Sequence, residues 1–218
     1  MIHVDPRTVI LLSGVMSAFM AVILFALKRS YPPTIKGLGG WSVALALVSV
    51  ACVLASFLGQ APNFIAISIP RLLLPTGLFL TYAGTQRFFG VTPRYWPWLV
   101  LIGIVVLVQM WFTFVEPSFI VRLVLSNALA ACLFIAFANL IRKQGLSSFA
   151  RILALGVVLA MLAILLMRIA TAFLWPVGQD LFDNSPQQLA YVTSFSFCVV
   201  LLSVSLILLA AERLHSEV

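Results

Sequence analysis

Charge is what this chain lacks most. Only 9% of its 218 residues are Asp, Glu, Lys or Arg, and just 6 of those are acidic. A soluble domain carries roughly 25% charged residues, so a water-facing globular surface is excluded. No acid falls inside a long apolar run, which removes the intramembrane carboxylates that proton-coupled pumps use. Histidine is limited to His3 and His215, at opposite ends of the chain, leaving no cluster to ligate a metal or a haem. Cys52, Cys132 and Cys198 have neither metal nor redox spacing and read as small packing residues. There is no glycine-rich phosphate loop, no nucleophile elbow and no carboxylate pair placed for acid-base work. These residues therefore supply no catalytic position and imply no cofactor.

What the chain has is apolar length. Apolar residues make up 63% of it, and the mean hydropathy is +1.16, values that belong to integral membrane proteins. Runs of about 20 residues, enough to cross the hydrocarbon core, occupy 9–27, 41–58, 64–82, 98–115, 119–141, 149–175 and 189–209. They are continuous and rich in Leu and Ala, unlike the alternating strands of a membrane β-barrel. The expectation is an all-α bundle of seven transmembrane helices: one sensory domain over 1–209, followed at 210–218 by the start of a cytoplasmic helix. Asp5-Pro6 offers an N-cap and a first-turn proline to the first helix. Trp41, Trp96, Trp98 and Trp175 lie at run ends, where interfacial rings belong. Pro32-Pro33 with Gly37, Gly39 and Gly40 break the chain after the first run. That run is longer than a signal-peptide core and ends at Lys28-Arg29, so it is read as retained.

The net charge of +7 maps onto topology rather than onto nucleic acid. One side of the bundle collects Lys28, Arg29, Lys36, Arg87, Arg94, Arg142, Lys143, Arg151 and Arg213. The other holds only Arg7, with Asp5, Glu116, Asp180 and Asp183. Basic loops stay in the cytoplasm, which puts the N-terminus outside and the C-terminus inside.

Three arginines break the apolar pattern. Arg71, Arg122 and Arg168 lie within runs, all in the outer half of the bilayer. Each costs about 2.5 to 3.5 kcal/mol at a helix centre unless water, a partner or a ligand offsets it. Gln109, Ser126, Asn127, Thr171, Tyr191 and Ser194 share their layer. Together these residues could line a pocket for an anionic or lipid-like ligand, because guanidinium groups hold carboxylate and phosphate bidentately. The alternative is structural: Arg122 snorkels and pairs with Glu116, while Arg71 and Arg168 pair with Asp180 or Asp183 or cap broken backbone. Pro70 and Pro75 flank Arg71 and predict a kinked third helix beside the charge.

At the C-terminal end, Val200, Val204, Ile207, Ala211, Leu214 and Val218 recur at spacings of three and four. They continue the last run into Glu212, Arg213, His215, Ser216 and Glu217 without a Gly or Pro. The helix is expected to enter the cytoplasm and to end in mid-course, as a piece of a longer protein would. The stripe reads either as the head of a parallel coiled coil or as a plain amphipathic tail.

The stretches Leu27-Lys28-Arg29-Ser30-Tyr31-Pro32-Pro33, Ile35-Lys36-Gly37-Leu38-Gly39-Gly40-Trp41 and Tyr82-Ala83-Gly84-Thr85-Gln86-Arg87-Phe88-Phe89-Gly90 resemble the N-terminal membrane regions of bacterial GGDEF diguanylate cyclases. In that group the last span feeds a short signalling helix, and Ala210-Ala211-Glu212-Arg213-Leu214-His215-Ser216-Glu217-Val218 is similar to it. The resemblance implies a homodimeric sensor in the bacterial inner membrane that regulates the joining of two GTP into cyclic di-GMP. The GGDEF motif is absent from these residues, so no catalytic position carries over, and the resemblance names no stimulus. Two other classes share features with this chain. A membrane histidine kinase sensor has the same architecture and outgoing helix. A stand-alone transporter or lipid-binding protein is the other, but transport needs a polar path through both halves, and the inner halves offer little beyond Tyr82, Thr85 and Asn139.

Overall fold

A computed structural model describes residues 6–59, 67–145, 148–174 and 186–217. They form seven helices: α1 (Pro6–Ser30), α2 (Leu38–Ser56), α3 (Ile69–Phe88), α4 (Tyr95–Phe114), α5 (Phe119–Lys143), α6 (Phe149–Leu174) and α7 (Pro186–Glu217). Helix ends follow local chemistry. Pro6 opens α1, where its missing N–H costs no helical bond. Cations close the helices that run toward the basic end: Lys28 and Arg29 on α1, Arg87 on α3, Arg142 and Lys143 on α5. Each lies against the negative end of its helix dipole.

Six helices form a ring. α1 packs on α2 and α7, α2 on α3, α3 on α5, α5 on α6, and α6 on α7. α4 stands outside the ring against α3 and α5, and buries only Ile102 and Gln109. The helices α1, α2, α4, α5, α6 and α7 are long and apolar enough to cross a bilayer. The chain is thus an α-helical, multi-pass membrane protein, because lipid admits only backbones whose hydrogen bonds close within the segment.

α3 departs from the sequence expectation of a run over 64–82. Residues 60–66 lie outside those described, and the helix is 20 residues long and continues past Tyr82 to Phe88. Arg71 therefore stands in the first α-helical turn, which follows directly on a π turn at Ile67 and Ser68. Pro70 stands beside Arg71 at the start of α3, and the residues to which a donor at this position would bond lie outside those described. Pro75 is inside α3 and removes the helical donor to the Arg71 carbonyl. α3 tolerates its polarity because protein covers it: Gly77, Thr81, Gly84 and Thr85 are buried. Its hydroxyls bond their own backbone, Thr81 to Gly77 O at 3.0 Å and Thr85 to Thr81 O at 2.9 Å.

Trp41 is a second correction, for it is 0% exposed and not an interfacial ring. Its Nε1 donates to Thr85 Oγ1 at 3.1 Å, and its ring lies 5.3 Å from that of Phe88. Gly84 makes the slot: a Cβ there would meet Trp41 Cδ1 at 2.7 Å. Gly37, with φ +103°, turns the chain so closely against α3 that a Cβ would lie 2.4 Å from Gly84 O. Trp96 is 77% exposed, whereas Trp98 packs on Phe79 and Tyr82; Trp175 lies outside the described residues. Cys198 is buried, but Cys132 is exposed and packs nothing in the bundle core.

α7 is unbroken over 32 residues, about 48 Å at 1.5 Å per residue, which exceeds a hydrocarbon core of about 30 Å. Its predicted stripe is divided by packing. Ile207 and Leu214 lie against the bundle core, Val200 is half-buried, and Val204 and Ala211 are exposed. Val218 lies outside the described residues. The face that enters the core is Cys198, Leu202, Leu206, Leu209 and Ala210.

Candidate functional site

The ends of α3, α4 and α5 that lie away from the basic end meet at one oxygen. Arg71 Nη1 donates to Thr113 Oγ1, and Arg122 Nη1 donates to the same atom at 3.5 Å. Thr113 spends its own proton on Gln109 O at 2.6 Å, so its lone pairs alone face the two guanidinium groups. Arg122 is steadied by a bond from Nε to Ser118 O at 3.1 Å and by the Phe119 ring, 6.0 Å away. One turn deeper, Gln109 is 3% exposed and donates from Nε2 to Ser126 Oγ at 3.0 Å. Its Oε1 is buried without a hydrogen-bond donor. This end thus holds two cations drawn to one neutral acceptor, beside an acceptor still lacking its donor. Among the described residues, no carboxylate pairs with Arg71. Glu116 is exposed, and Asp180 and Asp183 lie outside the described residues.

Arg168 belongs to a different group. Its Nη2 donates to Gln188 Oε1, and its guanidinium lies 4.5 Å from the centre of the Tyr191 ring. The Tyr191 hydroxyl reaches Asn127 Oδ1 at 3.5 Å, and Thr171 Oγ1 donates to Arg168 O at 3.1 Å on its own helix. The three arginines predicted to share a pocket are thus divided by α5. Ser126 turns toward Arg71's group through α4, and its neighbour Asn127 turns toward Arg168's group through α7. Thr113 and Gln188 were missed in the sequence. Thr113 follows Gln109 by four residues on the same helix face, which was the available signal.

The basic end is tied as well. Glu212, on α7, accepts from Ser148 Oγ and from the Ala150 N–H at 3.3 Å, at the start of α6. Arg213 donates to Phe88 O at the end of α3, and its guanidinium lies over the Phe88 ring at 5.1 Å. An anion at a helix N-terminus and a cation at a helix C-terminus are each matched to the helix dipole. Between them opens a cleft of about 340 Å³, bounded also by Phe89, Arg151 and Leu209.

Among the described residues no group of three or more His, Cys, Asp or Glu could hold a metal ion. No family model, curated protein or solved structure matches the chain.

Proposed function

We propose that this chain is the membrane-embedded input module of a homodimeric bacterial diguanylate cyclase. In this reading the Arg71–Arg122 pair receives the carboxylate or phosphate of a lipid-like ligand, and α7 carries the response to a cytoplasmic GGDEF domain. The convergence of both guanidinium groups on Thr113 Oγ1 is the observation that carries the ligand half of the reading. An anion bridging them offsets the like-charge repulsion between the two guanidinium groups and adds charge-assisted pairs to the neutral acceptor they share. Arg168, engaged by Gln188 and Tyr191, is assigned to structure.

The cyclase half rests on the sequence resemblance, with the unbroken α7 as support. We take α3 as a seventh span shielded by α2, α4 and α5, and the basic end as the cytoplasmic one in the inner membrane. Binding at Arg71 would bias α3, whose first turn holds Arg71 and whose last holds Phe88, the partner of Arg213 on α7.

The test is thermal shift of the full chain in detergent with oleate and with dodecyl phosphate. Arg71→Gln and Arg122→Gln should each remove most of the shift, while Arg168→Gln keeps it. An undiminished shift in Arg71→Gln refutes the site. Reading the gene onward from Val218 tests the other half: a GGDEF motif in frame supports the cyclase, and a kinase domain assigns the module to a histidine kinase.

A further inference from the structure

The cleft at the basic end does not depend on the Arg71–Arg122 ligand or on the cyclase reading, although Phe88 and Arg213 line it. We infer that it binds the phosphate of an anionic phospholipid drawn from the leaflet on that side. Two guanidinium groups face it, and each is held by an aromatic ring and a main-chain carbonyl: Arg151 lies 5.7 Å from the centre of Phe89 and donates through Nη1 to Gln144 O at 2.8 Å, and Arg213 lies 5.1 Å from that of Phe88 and donates through Nη1 to Phe88 O. A stacked guanidinium is pre-oriented, so it forfeits less freedom when its edge engages phosphate. The Glu212 carboxylate in the same lining is turned to Ser148 Oγ and the Ala150 N–H. With two cations and one anion, the lining keeps a net positive charge.

Position agrees with charge. The cleft lies at the level where Arg87, Arg142 and Lys143 are exposed, and such a basic rim concentrates anionic lipid. Basic pockets between helices at this depth are suited to phospholipid head groups. Its volume of about 340 Å³ admits a head group but not the chains as well. The chains have their own surface: Phe149 and Ile152, beside Arg151 on α6, are 71% and 53% exposed.

The experiment uses the full chain in dodecylmaltoside, with phosphatidylglycerol, phosphatidylcholine or inorganic phosphate added, read by thermal shift and by lipid retention in native mass spectrometry. Phosphatidylglycerol should raise the melting temperature and remain bound, and phosphatidylcholine should not. Arg151→Gln gives up the bonds to Gln144 O and Gly145 O, a loss that the melting temperature without lipid reads separately, and should weaken phosphatidylglycerol binding about tenfold, the loss of one charge-assisted pair. Arg94→Gln, outside the cleft, should bind like the unaltered chain. A matching shift with inorganic phosphate keeps the site and assigns recognition to the phosphate alone; a shift with lipid only assigns it to the lipid. Equal phosphatidylglycerol binding by Arg151→Gln and the unaltered chain, or no preference over phosphatidylcholine, overturns the inference.

Discussion

Arg213 of α7 donates to the main-chain carbonyl of Phe88, the last residue of α3, and its guanidinium covers the ring of the same residue. Two helices distant in sequence are thus joined at their basic ends by a cation that satisfies an orphan carbonyl and meets the negative pole of α3.

Removing that tie should loosen α7 more than it weakens the bundle. Arg213→Ala is expected to cost about 1 kcal/mol, the scale of one net hydrogen bond plus a dipole contact. A spin label at His215, an exposed position, should become more mobile in the variant. An unchanged spectrum would show that α7 is held elsewhere.

Glycine at position 84 is required by contact. In Gly84→Ala the new methyl meets Trp41 Cδ1 at 2.7 Å, Trp41 Nε1 at 2.9 Å and Gly37 O at 3.1 Å. Overpacking of this kind costs about 1 to 3 kcal/mol. Gly103→Ala is the control: nothing lies within 4 Å of its added carbon, and the gain in helix propensity, up to about 1 kcal/mol, should leave or raise stability. Detergent melting curves of the two variants should move in different directions.

Thr85→Val keeps the shape of the α2–α3 contact and deletes the acceptor for the Trp41 indole. The N–H is then buried without a partner, at a cost of about 1 to 3 kcal/mol. If Trp41 stays in its slot, the loss appears in the melting temperature with little change in tryptophan emission. A melting temperature equal to that of the unaltered chain would mean that the indole finds another acceptor.

How far the sequence could be read depended on the kind of fact. The runs at 119–141 and 149–175 became Phe119–Lys143 and Phe149–Leu174 with little adjustment, because apolar length is a property of the chain and lipid leaves the backbone no alternative to a helix. Cations at one set of ends were legible for the same reason: their side follows from counting helices. Trp41 was misplaced because its position at a run end agreed with an interfacial role, while its burial depends on Gly84 and Thr85, more than forty residues away.

The candidate site divides in the same manner. The sequence by itself put Arg71, Arg122 and Arg168 toward the same end of their runs, since position along a helix is counted in residues. Which of them meet was decided by the tertiary structure, since the direction in which a side chain leaves its helix has meaning only relative to neighbours. With α4 outside the ring, Thr113 comes between Arg71 and Arg122, while the turn from Ser126 to Asn127 places Arg168 on the far side of α5.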